Sequence, residues 1–196
     1  MCAWGFLIPL LLGFALNAAS AFTAAYSRRW GERGGRWASF VLRNILGIPL
    51  WAVGLGFAVQ TPSAMVVAPN PIMNVVGWLL IVAGGMVILW ALGFLGKRAV
   101  APSARDTLVF HGAYAHVRHP IHSGTFLEFV GLWLLRPALA VTVACAVGVV
   151  WLLIQTRLEE IDLVERMPAY REYMERVPRF VPRFWERRSK ASPLSD

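Results

Sequence analysis

From Asn44 to Gly96 the chain carries no Asp, Glu, Lys, Arg or His. No other feature narrows the possible folds so far. A helix or strand of a soluble domain needs a polar face for water, and a neutral apolar stretch of this length offers none. Elsewhere charge gathers in clusters at 28–36, 97–105 and 157–190, with only isolated charges between them. Hydrophobic residues make up 57% of the chain and charged ones 15%, outside the range of ordinary soluble domains. The pattern is that of an integral membrane protein.

The spans follow in order. Residues 3–26 are nearly uncharged and long enough for ~30 Å of hydrocarbon, which takes ~20 helical residues. The stretch before this span holds no Lys or Arg, whereas Arg28, Arg29, Arg33 and Arg36 follow it. A retained first helix with its N-terminus outside is therefore expected. Asn17, a polar residue within it, suits a helix–helix hydrogen bond. Residues 40–59 read as a second span, with Arg43 near its cytoplasmic end and Pro49 as a kink. The uncharged, proline-rich connection 60–72 fits the outer face. Residues 73–95 form a third span whose glycines at 77, 84, 85 and 93 permit close helix contact. A polar connector, 97–120, precedes two further apolar segments, 121–135 and 138–156, with Arg136-Pro137 as a tight bend. An interfacial helix over Glu159–Glu175 is expected next, then an extended segment and a disordered tail. The sum is an all-α integral membrane protein of about five transmembrane helices, ending in a helical hairpin and a cytoplasmic interfacial helix. It divides into three N-terminal helices (1–96), a catalytic region (97–182) and a tail (183–196).

The hairpin brings two polar clusters together. All four histidines lie between His111 and His122, in a stretch that also holds Tyr114 and Arg118. The second cluster is Arg157-Leu158-Glu159-Glu160. At ~1.5 Å rise per residue, His119 lies roughly 26 Å before the bend and Glu159 roughly 33 Å after it. An antiparallel hairpin therefore sets them at similar depth on one side of the bilayer. Arg118 and the imidazoles suit a carboxylate, and the glutamates suit an amine or hydroxyls. Glu128, midway along the first arm, is an intramembrane acid and so a candidate for function or for a helix–helix hydrogen bond. His119 and His122 with Glu159 offer a zinc donor set in principle, but Pro120 intervenes and no known zinc spacing matches, so no metal is expected. Cys2 and Cys145 read as small apolar packing residues. The formal charge of +8 flanks the spans, where it serves topology and anionic headgroups; no nucleic-acid motif accompanies it. Neither a Walker A sequence nor G-x-G-x-x-G is present.

The order of the motifs adds a second line of argument. Leu108-Val109, Gly112-x-Tyr114, Arg118-His119-Pro120, a hydrophobic hairpin, Glu159-Glu160, Tyr170-x-x-Tyr173 and Val177-Pro178-Arg179-Phe180 succeed one another. This succession resembles the isoprenylcysteine carboxyl methyltransferases and their relatives, the phospholipid N-methyltransferases, over residues 105–182. The resemblance implies an S-adenosyl-L-methionine-dependent membrane methyltransferase with a site open to the cytoplasm and a lipophilic or lipid acceptor drawn from the bilayer. It implies that Leu108, Val109, Tyr114, His119, Pro120, His122, Glu159 and Glu160 bind the cofactor. Arg118, His119 and Glu128 are the candidates for catalysis.

Two positions depart from the family pattern. His122 stands where the family has Tyr. Gln155 stands where the prenylcysteine enzymes place an Arg for the substrate carboxylate, and Arg157 falls on a different helical face. A thiol, amine or hydroxyl acceptor thus stays open beside a carboxylate. Two other readings compete: an NADPH-dependent membrane reductase of the sterol-reductase type, and a non-catalytic membrane scaffold. The compact size suggests a bacterial inner membrane, with the C-terminus cytoplasmic.

Overall fold

The computed structural model describes residues 4–182. The tail 183–196 and Cys2 lie outside the described residues, and with them the expectations made for them. Among the described residues every regular element is helical. Helix α1, Leu7–Ala19, is followed after a turn by α2, Thr23–Phe40. A π-helical segment, Val41–Gly47, joins α2 to α3, Ile48–Gln60. Next come α4, Pro71–Leu95, and the single turn α5, Lys97–Val100. A 3-10 turn, Gly112–Ala115, precedes α6, Pro120–Leu135. Last are α7, Leu139–Arg166, and α8, Tyr170–Arg176. Three helical stretches are long and apolar enough to cross a membrane: Thr23–Gln60, Pro71–Leu95 and Leu139–Arg166. Helices α1 and α6 are apolar but shorter, at 13 and 16 residues.

The first span differs from expectation. A single helix over 3–26 is replaced by a corner at residues 20–22. The Ser20 hydroxyl donates back to the Asn17 carbonyl at 2.5 Å, and the Tyr26 hydroxyl donates to the Ala19 carbonyl at 2.9 Å. Side chains thus take carbonyls that a continuing helix would use. The basic residues Arg28, Arg29, Arg33 and Arg36 consequently lie on α2. Further on, Pro49 sits in the first turn of α3, directly after the π-helical segment. A proline ring clashes with the carbonyl four residues earlier, and a widened turn relieves that clash without ending the helix.

The apolar core joins both ends of the chain. Phe6, Leu10 and Phe14 of the N-terminal region pack with Phe129 of α6 and with Val141 and Leu152 of α7. Phe14 stacks on Trp151 with ring centroids 4.4 Å apart. The hairpin bends between Leu135 and Leu139, at Arg136-Pro137. The 61–70 connection closes over it: Val66 N–H donates to the Pro137 carbonyl at 2.7 Å, and Leu139 N–H to the Ala64 carbonyl at 2.8 Å. The Ala140 N–H donates to Ser63 Oγ at 3.1 Å. Two of the free donors at the start of α7 thereby find partners in a chain segment instead of water.

Beyond the hairpin, α7 does not give way to a new helix at Glu159. It runs straight through 28 residues to Arg166, and Pro168 ends it. Proline has no N–H to donate and biases the residue before it toward extended backbone. The expected interfacial helix over Glu159–Glu175 is thus reduced to the short α8. Glu159 and Glu160 sit on the same rigid rod as the core residues of α7.

Candidate active site

Tyr114, His119 and Glu159 meet at one cavity, and each is set there by a different device. Gly112, with a left-handed φ of 61°, opens the turn that carries Tyr114. A Cβ at Gly112 would run into the Phe94 ring of α4, so the turn lies flat on that helix. Tyr114 is buried beside Ala91 and Val109. Its carbonyl accepts a 2.6 Å hydrogen bond from the Tyr173 hydroxyl of α8. Burial pushes the phenols of Tyr114 and Tyr173 well above the ordinary range, so both remain protonated donors. Tyr173→Phe orphans a buried carbonyl and is expected to cost about 1–3 kcal/mol, read as a lower thermal midpoint in detergent.

His119 is the residue before α6, and Pro120 takes the first helical position, where its missing N–H costs nothing. The C-terminal segment fastens this turn. Arg118 N–H donates to the Pro178 carbonyl at 2.9 Å and His119 N–H to the Arg179 carbonyl at 3.1 Å. The Ser123 hydroxyl donates to the Phe180 carbonyl at 2.8 Å. The Val177-Pro178-Arg179-Phe180 stretch thus straps down the entrance to α6.

The two glutamates do different work. Glu160 is buried, at 1% exposure, and turned away from the cavity. Its Oε1 takes hydrogen bonds from His119 Nε2 at 3.2 Å and from Arg179 Nε at 3.1 Å. Arg179 Nη2 lies 2.5 Å from its Oε2, and Arg118 Nη2 is 3.4 Å from Oε1. Glu159 lines the cavity. Its Oε1 accepts from Gln155 Nε2 at 2.8 Å and from Arg43 Nη2 at 3.3 Å. Its Oε2 faces His119 Nδ1 at 3.7 Å. Gln155 is buried and spends its amide on orienting Glu159. Arg157 is exposed and reaches only to 4.0 Å from Glu160.

The cavity is about 450 Å³ in volume, within the range of small-molecule sites. Of the residues singled out in the sequence, Leu108, Val109, Tyr114, Arg118, His119, His122 and Glu159 line it. Pro120, Glu160 and Glu128 do not line it. Pro120 and Glu160 support it from behind, whereas Glu128 is half-buried on the side of α6 that meets Gly84 and Gly85 of α4. The lining also includes apolar and aromatic residues, among them Trp51, Ile88, Leu92 and Trp151. Trp51 and Trp151 stand 6.1 Å apart by ring centroids.

Arg43 is the site residue that sequence reasoning left as a span-end charge. It reaches Glu159 and also donates to Ser20 Oγ at 3.2 Å and to the Ala99 carbonyl at 3.3 Å. It is the one charge between Arg36 and Lys97. An isolated charge beside a long neutral stretch is itself a signal of internal pairing.

Residues 72–168, the stretch that carries this geometry, match the family model described as phospholipid methyltransferase. The chain belongs to that family. The phospholipid methyltransferase family comprises integral membrane methyltransferases and includes the isoprenylcysteine carboxyl methyltransferases. The chain is also 29% identical over 115 residues to the cobalt-zinc-cadmium resistance protein CzcN of Cupriavidus metallidurans. That match covers 58% of this chain and 51% of CzcN, so the chain spans about half the length of that relative. No solved structure matches the chain.

Proposed function

We propose that this protein transfers a methyl group from S-adenosyl-L-methionine to a lipophilic acceptor, at the cavity bounded by Tyr114, His119 and Glu159. The observation that carries the reading is the division of this cavity. Its polar lining is Arg118, His119, Glu159 and Arg43; its apolar lining is Ile48, Ile88, Trp51 and Trp151, the two tryptophans lying eight residues along the chain from Arg43 and Glu159. A polar cofactor entering from water and an apolar acceptor entering from the bilayer suit those two parts.

The donors fit the cofactor. Glu159 Oε2 accepts no hydrogen bond among the described residues and is available to an amine or hydroxyl. Tyr114, Leu108 and Val109 offer an aromatic face and apolar contact, and Arg118 offers a cation. Bound there, the cofactor supplies an electrophilic methyl group on a sulfonium. The chain's own contribution is positioning. Glu159 is held by Gln155 and Arg43, and His119 by Glu160, so neither must reorganise when ligands arrive. Alignment of this kind supplies several kcal/mol, on the order of 7–11 in favourable intramolecular cases. The indole walls keep water from the acceptor's nucleophile. Gln155 carries no charge to meet a substrate carboxylate, which favours a thiol, amine or hydroxyl acceptor. The membrane is proposed to be a bacterial inner membrane, with the cavity and the C-terminus on the cytoplasmic side.

Binding of S-adenosylhomocysteine to the purified full chain tests the reading. Wild type is expected to bind, with Glu159→Ala and His119→Ala weakening binding at least about tenfold, a loss of ~1.4 kcal/mol or more. Unchanged affinity in both variants sinks the site assignment. Binding of NADPH in place of S-adenosylhomocysteine points to a membrane reductase instead.

A further inference from the structure

His119 and Glu159 each have one donor atom committed and one left over, and the two leftover atoms face each other. His119 Nε2 is occupied by Glu160 Oε1 at 3.2 Å, which leaves Nδ1. Glu159 Oε1 is occupied by Gln155 and Arg43, which leaves Oε2. Those two atoms are 3.7 Å apart. His122, one helical turn into α6, brings a second imidazole, with its ring centroid 5.5 Å from that of His119. Neither nitrogen of His122 has a hydrogen-bond partner among the described residues. One donor atom from each of the three side chains lies within 4.8 Å of the others.

We propose that His119, His122 and Glu159 form a binding site for one divalent cation of the zinc class. The site goes beyond methyl transfer and its existence does not depend on it. Two imidazoles and one carboxylate, with a fourth position left open, are an established ligand set for zinc. At bond lengths near 2.0–2.2 Å, tetrahedral ligand atoms stand about 3.4 Å apart. The His119–Glu159 pair is already close to that separation, and small side-chain rotations bring in His122. The partners behind the ligands are those that metal sites use. A carboxylate, Glu160, takes the N–H of the ligating His119 and so fixes its tautomer, leaving Nδ1 as the lone-pair nitrogen. Gln155 and Arg43 hold Glu159 as a one-oxygen ligand. The fourth position opens into the cavity, where water or a substrate group can enter.

Local spacing does not reveal this set because the third ligand arrives from α7, thirty-seven residues after His122. Pro120 is no obstacle. It starts α6, and the 119/122 spacing then puts both imidazoles over the same turn. Nitrogen-rich ligation disfavours Mg²⁺ and Ca²⁺, which require oxygen shells. The Arg43 charge is the principal opposing contribution. Arg43 keeps partners in Ser20 Oγ and the Ala99 carbonyl, so it stays hydrogen-bonded when a cation draws on Glu159. Because the cation and the proposed cofactor both use Glu159, each is expected to weaken binding of the other.

Tag-free, metal-stripped full chain in detergent, titrated with Zn²⁺ by equilibrium dialysis and with Co²⁺ by visible absorption, provides the test. One equivalent is expected, with the intense Co²⁺ bands of a four- or five-coordinate site. Glu159→Gln and His122→Tyr, the latter restoring the family's residue, are each expected to weaken binding at least about tenfold. His111→Ala and His116→Ala, at exposed histidines, are expected to leave it intact. Wild-type zinc affinity in both His122→Tyr and Glu159→Gln, or displacement by equimolar Mg²⁺, overturns the site. Saturating Zn²⁺ is expected to lower affinity for S-adenosylhomocysteine at least about tenfold, and no change refutes the shared ligand. Zinc binding without any S-adenosylhomocysteine binding removes the methyltransferase reading and leaves the metal site. S-adenosylhomocysteine binding without zinc does the reverse.

Discussion

Glu160→Ala is expected to lower the thermal midpoint of the detergent-solubilised protein by roughly 10 °C, a loss of about 3–5 kcal/mol. The reason lies in what the substitution leaves behind. Glu160 is 1% exposed and is the common partner of His119, Arg118 and Arg179. Arg118 is itself mostly buried, with 11% of its side chain exposed, and among the described residues its side chain has only the Met174 carbonyl as a further partner, at 3.3 Å. Removing the carboxylate strands one buried guanidinium and frees the strap that Arg179 anchors. An exposed pair such as Arg176–Glu172 on α8 contrasts with it, since such pairs contribute about 0.3–0.5 kcal/mol and Glu172→Ala is expected to be nearly silent. Glu160→Ala combined with Arg118→Ala should recover part of the loss, because the double change removes both ends of the buried pair. A midpoint within about 2 °C of wild type in Glu160→Ala would show that the network contributes little. The same variant reports on positioning. With Nε2 of His119 released, S-adenosylhomocysteine affinity should fall even under conditions where the variant remains folded.

The membrane class and the hairpin were legible because they follow from one-dimensional properties. Charge is absent from 44–96, and Arg136-Pro137 interrupts an apolar run at the point where α6 stops and α7 begins. The common depth of His119 and Glu159 required only the helical rise. What was not legible depends on partners distant in sequence. The break between α1 and α2 contains neither Gly nor Pro at 20–22; it rests on Ser20 and Tyr26 capturing carbonyls. The straight course of α7 past Glu159 was hidden by its change from apolar to mixed composition, although Pro168 marked the true end. Glu159 and Glu160 read as a near-equivalent pair. Adjacent helical residues point about 100° apart, so one faces the cavity and the other faces Arg118 and Arg179. Arg43 looked like a topology anchor until its partners, 23 to 116 residues distant, were known.

Gly84→Leu is expected to destabilise the protein by about 3 kcal/mol or more, because the space for any side chain there is occupied by backbone. Helices α4 and α6 run against each other through two reciprocal glycine contacts. A Cβ at Gly84 would stand 2.6 Å from the Gly124 carbonyl oxygen, and one at Gly124 would stand 2.6 Å from that of Gly84. Seven residues along each helix the arrangement repeats: Gly77 against the Gly131 oxygen at 2.9 Å, and Gly131 against the Gly77 oxygen at 2.7 Å. In a bilayer the lipid tails are as apolar as the side chains, so close backbone approach is a principal source of helix association. The Glu128 side chain also lies near Gly84, at 2.9 Å from the added Cβ, but it can swing aside, whereas a carbonyl oxygen in a helix cannot. Gly93, on the same α4, has nothing within 4 Å of an added Cβ. There, Gly93→Ala is expected to gain up to ~1 kcal/mol from helix propensity alone. Opposite signs at 84 and 93, read from thermal midpoints, separate the contact from propensity; a stabilised or neutral Gly84→Leu would refute it. The consequence reaches the site. Helix α6 starts at the residue after His119, and α4 supplies Ile88 and Leu92 to the cavity wall. Forcing the two helices apart displaces His119 and His122 from Glu159, which stays on α7, so ligand affinity should fall together with stability.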